Sequence, residues 1–443
     1  MAIYYYHRRC LFTCLAVVLL AGAVMASGAL TARADTATSS TQDVNALINA
    51  KNRELEQINQ QIAQNQQHLQ QTQQQKQTLA SQLSQINAEI NQINLGIQSS
   101  KVTIDTLSLQ IGQLQSSIAH GQSDVAQKQE AVKKVLQQIQ QNEGDTLLIV
   151  LLKNETLSDS VMAIQSLQDV NNKLLASISD LLATQRQLTA TVDAATNAKE
   201  KKEQEYQNLN NRKIIADQLS QEKQQFLAQT KNQEKIYQSS LAALQQRQLE
   251  IASEIDALEA PLREKINFKS LPSFVPGLLA MPLNVFTLTQ GYGSTAFAKT
   301  AYKTSHWHNG VDLAAPIGTP IYAVADGIVL AAANQDAYCP HGAYGKYVAI
   351  KHLNGLTTVY GHMSLIVAKK NQSVKRGDVI GYVGKTGFAT GPHLHFGVYD
   401  SETFTISPSK YCGPEMPYGG DINPLNYLPT IPSSQIAPGS GGL

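Results

Sequence analysis

At 443 residues the chain exceeds one ordinary hydrophobic core, and its length leads us to expect two to four domains. Its 35 basic residues balance 34 acidic ones without a long basic run, which excludes nucleic acid and anionic membrane surfaces from the expected partners. Only 16% of residues are charged while glutamine is over-used, so part of the chain must be an unusual polar segment.

Residues 1–34 read as an export signal peptide. Arg8 and Arg9 precede the apolar stretch LFTCLAVVLLAGAVM, which passes into small residues and ends in Ala32-Arg33-Ala34, an A-x-A site before Asp35. Two outcomes stay open, cleavage there or retention as an anchor, because Cys10 to Leu30 almost suffices to span a bilayer. Export is expected either way, to a periplasmic or extracellular location. Cys10 and Cys14 fall in the signal, which leaves Cys339 and Cys412 as a candidate disulfide pair, with two free thiols as the alternative.

From Val44 the apolar residues keep a 4-3 rhythm. Val44, Ile48, Leu55, Ile58, Ile62, Leu69 and Leu79 continue through Ile93, Ile104, Leu114, Val125 and Val132 to Ile139 in one a/d register, the pattern of a coiled coil. Glutamine and asparagine fill the outward positions, and polar residues such as Lys51, Asn65 and Ser100 interrupt the seam. A single arm over 44–141 would be roughly 140 Å long. Glu143-Gly144-Asp145 breaks it, a short apolar stretch Leu147 to Leu152 follows, and a second arm runs over about 157–262. Nearly equal arms predict an antiparallel hairpin, with a parallel dimer as the alternative. The apolar stretch has two readings, a tip that docks a membrane protein or a cap on the hairpin core.

At Pro261 the composition changes. Residues 263–285 read as a linker, 286–430 as a small β-rich domain of antiparallel sheet and 431–443 as a flexible tail. The expected class is therefore α+β multidomain, a long coiled-coil hairpin (35–262) followed by the β-rich domain. Asn354-Gly355, Asp326-Gly327 and Gly377-Asp378 mark turns between short β-type runs. In GPHLHFGVYD, His393 and His395 are two apart and would project from one strand face. In SHWHNGVDLAAP, His308 and Asp312 are four apart and would converge if extended. Two imidazoles and a carboxylate are a usual zinc set that leaves a fourth position for water, so His308, Asp312 and His395 are the candidate ligands. His362 and His393 remain beside them, one to take a proton and one to steady an oxyanion. His306 and His341 carry no assigned role, and His352, opposite the Asn354-Gly355 turn, reads as structural.

HWHNGVDLAAPIGTPIYAVADGIV, GKYVAIKHLNGLTTVYGHM and VKRGDVIGYVGKTGFATGPHLHFGVY together resemble the lysostaphin/LytM-type zinc metalloendopeptidases, over about Gln290 to Tyr399. The resemblance implies a peptidoglycan hydrolase with zinc as cofactor, wall peptides as substrate, His308, Asp312 and His395 as metal ligands and His362 and His393 as the catalytic pair. Two departures stand out: no arginine follows Gly291-Tyr292-Gly293, and the DAYCPHGAYG connection is longer than usual. The order of signal, coiled coil and peptidase domain also resembles the EnvC-type and PcsB-type cell-division factors. That resemblance implies recruitment of the coiled coil by a membrane complex of the FtsE/FtsX kind. It also raises an alternative function, an EnvC-like activator of a peptidoglycan amidase with no hydrolase activity of its own. The intact five-residue set favours the enzyme, since an activator needs none of those side chains.

Overall fold

The computed structural model describes residues 34–73, 78–141, 157–301 and 306–441. The export signal over 1–33 and the apolar stretch Leu147 to Leu152 lie outside the described residues. Among the described residues no helix is long and apolar enough to cross a membrane.

Among the described residues, four long helices precede a strand-rich domain: α1 (Ala34–Gln73), α2 (Leu79–Gln141), α3 (Leu157–Thr230) and α4 (Glu234–Arg263). Glutamine and leucine are abundant in α2 and α3, and both are good helix formers. Helices α2 and α3 run antiparallel. Near one end Lys128 pairs with Asp180 at 2.8 Å, and near the other Lys223 donates to Asn87 at 2.7 Å. The 63 residues of α2 make the paired region about 95 Å long.

The arms are not the two uninterrupted rods that the heptad pattern predicts. Helix α1 folds back on α2, with Ile58 packed on Leu95 and Val102, Asn65 donating to the Ala88 carbonyl at 2.9 Å, and Lys51 3.6 Å from Asp105. The second arm also breaks, at Lys231 and Asn232, whose φ angles of 47° and 54° lie in the left-handed region. Asparagine tolerates that region and lysine does so less readily, so the turn stands on tertiary contacts. Phe226 and Tyr237 meet edge to face across it at 5.9 Å, and Glu234 accepts from the Leu79 amide at 2.8 Å.

Among the described residues, thirteen strands belong to the β-rich domain. The site depends on β1 (Thr287–Gln290), β2 (Val311–Ala314), β5 (Lys346–His352), β6 (Leu356–Gly361), β7 (Met363–Ile366), β9 (Val379–Val383) and β10 (His393–Asp400). The main sheet is antiparallel, with β10 at its centre between β2 and β6. Strands β9 and β7, with β3 (Pro320–Tyr322), form a second, three-stranded sheet. Val311, Leu313, Val348, Tyr360, Leu394 and Phe396 fill the space between the sheets and are fully buried.

Residues 263–285 are not a free linker, because Leu279 and Leu283 are buried in this core and Leu279 donates to the Tyr427 carbonyl. Nor is the tail loose: Ile436 bridges to Leu288, and the Ser440 carbonyl accepts from Gly291. Cys339 and Cys412 are bonded, as one of the two sequence readings expects.

The helices dock on this domain at two places. Ile93 of α2 and Ile215 of α3 bury themselves with Ile317 and Tyr382, and Arg212 donates to the carbonyls of Gly96 and Gly318. Helix α4 leaves the hairpin and lies along the domain, with Ile251 packed among Tyr344, Tyr347 and Tyr399 and Glu254 accepting from Ser409 Oγ at 2.7 Å.

The disulfide spans 73 residues, for which chain entropy gives about 4 kcal/mol. Replacing both cysteines by serine is expected to lower the unfolding free energy by about that amount. Urea titration followed by the fluorescence of Trp307, the single tryptophan, measures it, and an unchanged midpoint would contradict it.

Candidate functional site

Strand register assembles the site. Asp312 of β2 lies directly opposite His395 of β10, and His395 in turn lies opposite Gly361 of β6. His393 and His395, two apart on β10, share a face, as the sequence predicts. His362 follows Gly361 directly and is thereby carried to the same place. His308 arrives by another route than the extended chain expected of it. It forms an isolated bridge with Gly293, and the chain bends at Asn309 and Gly310 before β2 begins. The bend brings Gly310 against β10, where a Cβ would lie 2.6 Å from the Phe396 carbonyl and 2.7 Å from the His395 ring. Only glycine allows that approach.

All five predicted residues therefore meet. His308 Nε2, Asp312 Oδ1 and His395 Nδ1 form a triangle with sides of 3.2, 3.1 and 3.1 Å. His393 Nε2 lies 3.5 Å from the same Asp312 oxygen. The rings of His362 and His393 are 4.6 Å apart, and those of His362 and His395 5.9 Å.

Backbone carbonyls fix which ring nitrogens face inward. His308 donates from Nδ1 to Gly291 at 2.8 Å, His362 to Thr386 at 2.8 Å and His393 to Gly391 at 2.8 Å. In the neutral ring each then keeps a lone pair on Nε2. His395 is turned the other way, with Nδ1 toward Asp312 and His308. Three acceptors this close repel unless a cation or a shared proton lies among them. Ligands around a tetrahedral zinc at about 2.0–2.1 Å are spaced by roughly 3.3 Å, so the triangle fits one face of such a tetrahedron. Among the described residues, this is the group of histidine and carboxylate side chains with the spacing to hold a metal ion.

Burial and charge set the protonation states. Burial would raise Asp312, but the His308 and His393 imidazoles outweigh it and hold the carboxylate well below its usual range. Burial lowers His308, yet Asp312 more than restores it. Burial dominates at His362, reinforced by His393 and His395, and pushes it well below the ordinary imidazole value. His362 also sits at φ 61°, a left-handed conformation rare for a side chain of this size. His352 is structural, donating from Nδ1 to the Asp326 carbonyl with Nε2 2.8 Å from Thr358 Oγ1.

Two cavities flank the triangle. One, of about 300 Å³, is lined by Gln290, Phe297, Asp312, Thr390 and His393. The other, of about 80 Å³, lies between His308, His362 and His395 on one side and Ile251, Ile255 and Glu259 of α4 on the other. Sequence reasoning missed Glu259 and Asn309. Asn309 donates to Glu259 Oε2 at 2.8 Å and to Tyr344 Oη at 2.6 Å. Burial and the neighbouring Asp421 push the Glu259 carboxyl well up, against Asn309 and Arg263. The Asn309 signal was its place beside His308, whereas Glu259 had none, lying in a segment that read only as coiled coil.

Residues 306–407 match the model of peptidase family M23, and the strand-rich region is accordingly an M23 domain. The chain is similar to the peptidoglycan DD-endopeptidase ShyA of Vibrio cholerae, 49% identical over 89 residues that cover 20% of this chain and 19% of that protein. It is also similar to the DD-carboxypeptidase/endopeptidase Mpg of Neisseria meningitidis, at 45% over 89 residues, 20% of this chain and 19% of that one. The chain thus spans about a fifth of the length of these curated relatives. Among solved structures, the catalytic domain of the prophage-encoded M23 protein EnpA from Enterococcus faecalis is 33% identical, covering 32% of this chain and 90% of its own, with a TM-score of 0.25. The catalytic domain of lysostaphin from Staphylococcus simulans is 27% identical, covering 29% and 88%, with a TM-score of 0.23.

The depressed pKa of His362 has a definite sign. The unfolded chain takes up this proton first, so the contribution to stability is complete above about pH 6.5 and is lost as pH falls toward the folded-state value. Ring-proton NMR is expected to show His362 flat between pH 6 and 7, and a midpoint near 6.5 would contradict the burial argument.

Proposed function

We propose that the protein is a zinc-dependent peptidoglycan endopeptidase, exported to the cell wall and acting in wall remodelling or division. The observation that carries this is the convergence of His308 Nε2, Asp312 Oδ1 and His395 Nδ1 beside the His362 and His393 pair. The M23 match and the names of its relatives support the substrate class.

His308, Asp312 and His395 would hold the zinc. When bound, it supplies a Lewis acid that acidifies a water and polarises a peptide carbonyl. His362, neutral and with its Nδ1 pinned by Thr386, offers Nε2 to take the proton of the attacking water and later passes it to the departing amine. His393, anchored at Gly391, steadies the oxygen that becomes negative; for this it needs protons on both nitrogens. The cavity of about 300 Å³ beside His393 offers room for an extended peptide.

The helices would position or regulate the enzyme, in keeping with recruitment by a membrane complex of the FtsE/FtsX kind. Supporting regulation, Gln248, Ile251, Ile255 and Glu259 of α4 line the smaller cavity together with His308, His362 and His395. Polar contacts hold this part of α4. Gln248 donates to the His341 carbonyl at 2.9 Å, and Arg263 binds Asp421.

Mass spectrometry of peptidoglycan incubated with the zinc-loaded chain tests the activity. New peptide amino termini are expected, reduced about 100-fold or more in His393→Ala with zinc retained. Intact peptides despite bound zinc would favour an amidase activator instead. At saturating zinc, Ile251→Asp, which places a charge at the buried α4 contact, is expected to raise the hydrolysis rate roughly tenfold by releasing α4, a shift of about 1.4 kcal/mol. An unchanged or lower rate would argue against regulation by α4.

A further inference from the structure

Two buried atoms beside the metal triangle lack partners. His395 directs Nδ1 at Asp312 and His308, which leaves Nε2 on the far edge of its ring. That nitrogen is buried and has no hydrogen-bond partner among the described residues, and the same holds for Oε1 of Glu259. Both side chains line the cavity of about 80 Å³, several times the space that one water requires. A histidine that ligates through Nδ1 carries its proton on Nε2, and in metal sites such an N–H passes to a carboxylate, a carbonyl or a water.

The other oxygen of Glu259 is also engaged with the site. Glu259 Oε2 accepts from Asn309, the residue after His308. Asn309 donates as well to Tyr344, whose ring lies 5.5 Å from that of His395. One carboxylate, 0% exposed and supplied by α4, thus stands behind two of the three candidate ligands.

We infer that Glu259 is a positioning residue of the metal centre, accepting the outward N–H of His395 through water held in the cavity while it fixes Asn309 beside His308. The inference rests on the metal-centre reading proposed above. A divalent cation at the triangle would draw the Glu259 carboxyl back toward its ionised form. Part of the outer support of the site then belongs to one side chain of a helix outside the M23 domain.

The test is the zinc dissociation constant of the full chain, by chelator competition, with the visible spectrum of the cobalt-loaded form as a second readout. Glu259→Gln keeps the shape and removes the charge, and it is expected to weaken zinc binding by roughly 10- to 100-fold and to shift the cobalt bands. Glu254→Gln removes a peripheral anchor of the same helix, at Ser409 and Lys410, and is expected to leave both readouts unchanged. Asp312→Ala is expected to abolish binding at the site. Wild-type affinity and spectrum in Glu259→Gln, with binding lost in Asp312→Ala, would overturn the inference and leave the metal-centre reading standing. Equal losses in Glu259→Gln and Glu254→Gln would also overturn it, by showing an effect of helix docking in general. Undiminished binding in Asp312→Ala would overturn the metal-centre reading and this inference with it.

Discussion

The register of β10 between β2 and β6 is the constraint on which the site depends. It places His395 opposite Asp312 on one side and opposite Gly361 on the other, so that both neighbouring strands deliver a functional group to the same point. A slip of one residue would turn every β10 side chain to the opposite face and replace His395 with Leu394 or Phe396. The pattern resists this slip. Leu394, Phe396 and Val398 face the core and are fully buried, and exposing them would cost about 1.5–3 kcal/mol each. The apolar alternation that holds the core together therefore also holds the candidate ligand triangle together.

Around this fixed point, the backbone decides which nitrogen each imidazole presents. Three histidines spend Nδ1 on carbonyls of Gly291, Thr386 and Gly391, residues in the turns that flank the strands. His395 sits within the strand, surrounded by neighbouring chains, and presents Nδ1 instead. Burial keeps the neighbouring His362 ring neutral, while the His308 and His393 imidazoles hold Asp312 ionised.

Asp312, His393 and His395 were legible because spacing on short strands is a direct record of geometry, whereas His308 and His362 lie just outside strands and reach the site through a bend and a strand end. His393 and His395 share a face through the two-residue period, Asp312 stands on β2 next to β10, and His362 follows directly on the last residue of β6. The helical region was legible in kind but not in path. Ile251, Ile255 and Leu262 continue the heptad pattern, yet they pack on the strand domain, and Ile93 divides its role between the hairpin and Ile317. A heptad states that an apolar stripe will be buried and leaves the partner unspecified. The turn at Lys231 and Asn232 has no glycine or proline to announce it. Glu259 was invisible for a related reason, as one of several carboxylates on α4 has meaning only after that helix is seen against Asn309.

A strand domain that gathers His308, Asp312, His362, His393 and His395 thus meets a helix, α4, packed against one side of them. The proposed function requires that His308, Asp312 and His395 hold one divalent ion between them. The most direct measurement is anomalous scattering at the zinc edge from crystals of the full chain. One peak within about 2.0–2.2 Å of His308 Nε2, Asp312 Oδ1 and His395 Nδ1 is expected. A peak elsewhere, or one ligated by His393 in place of His395, would contradict the account.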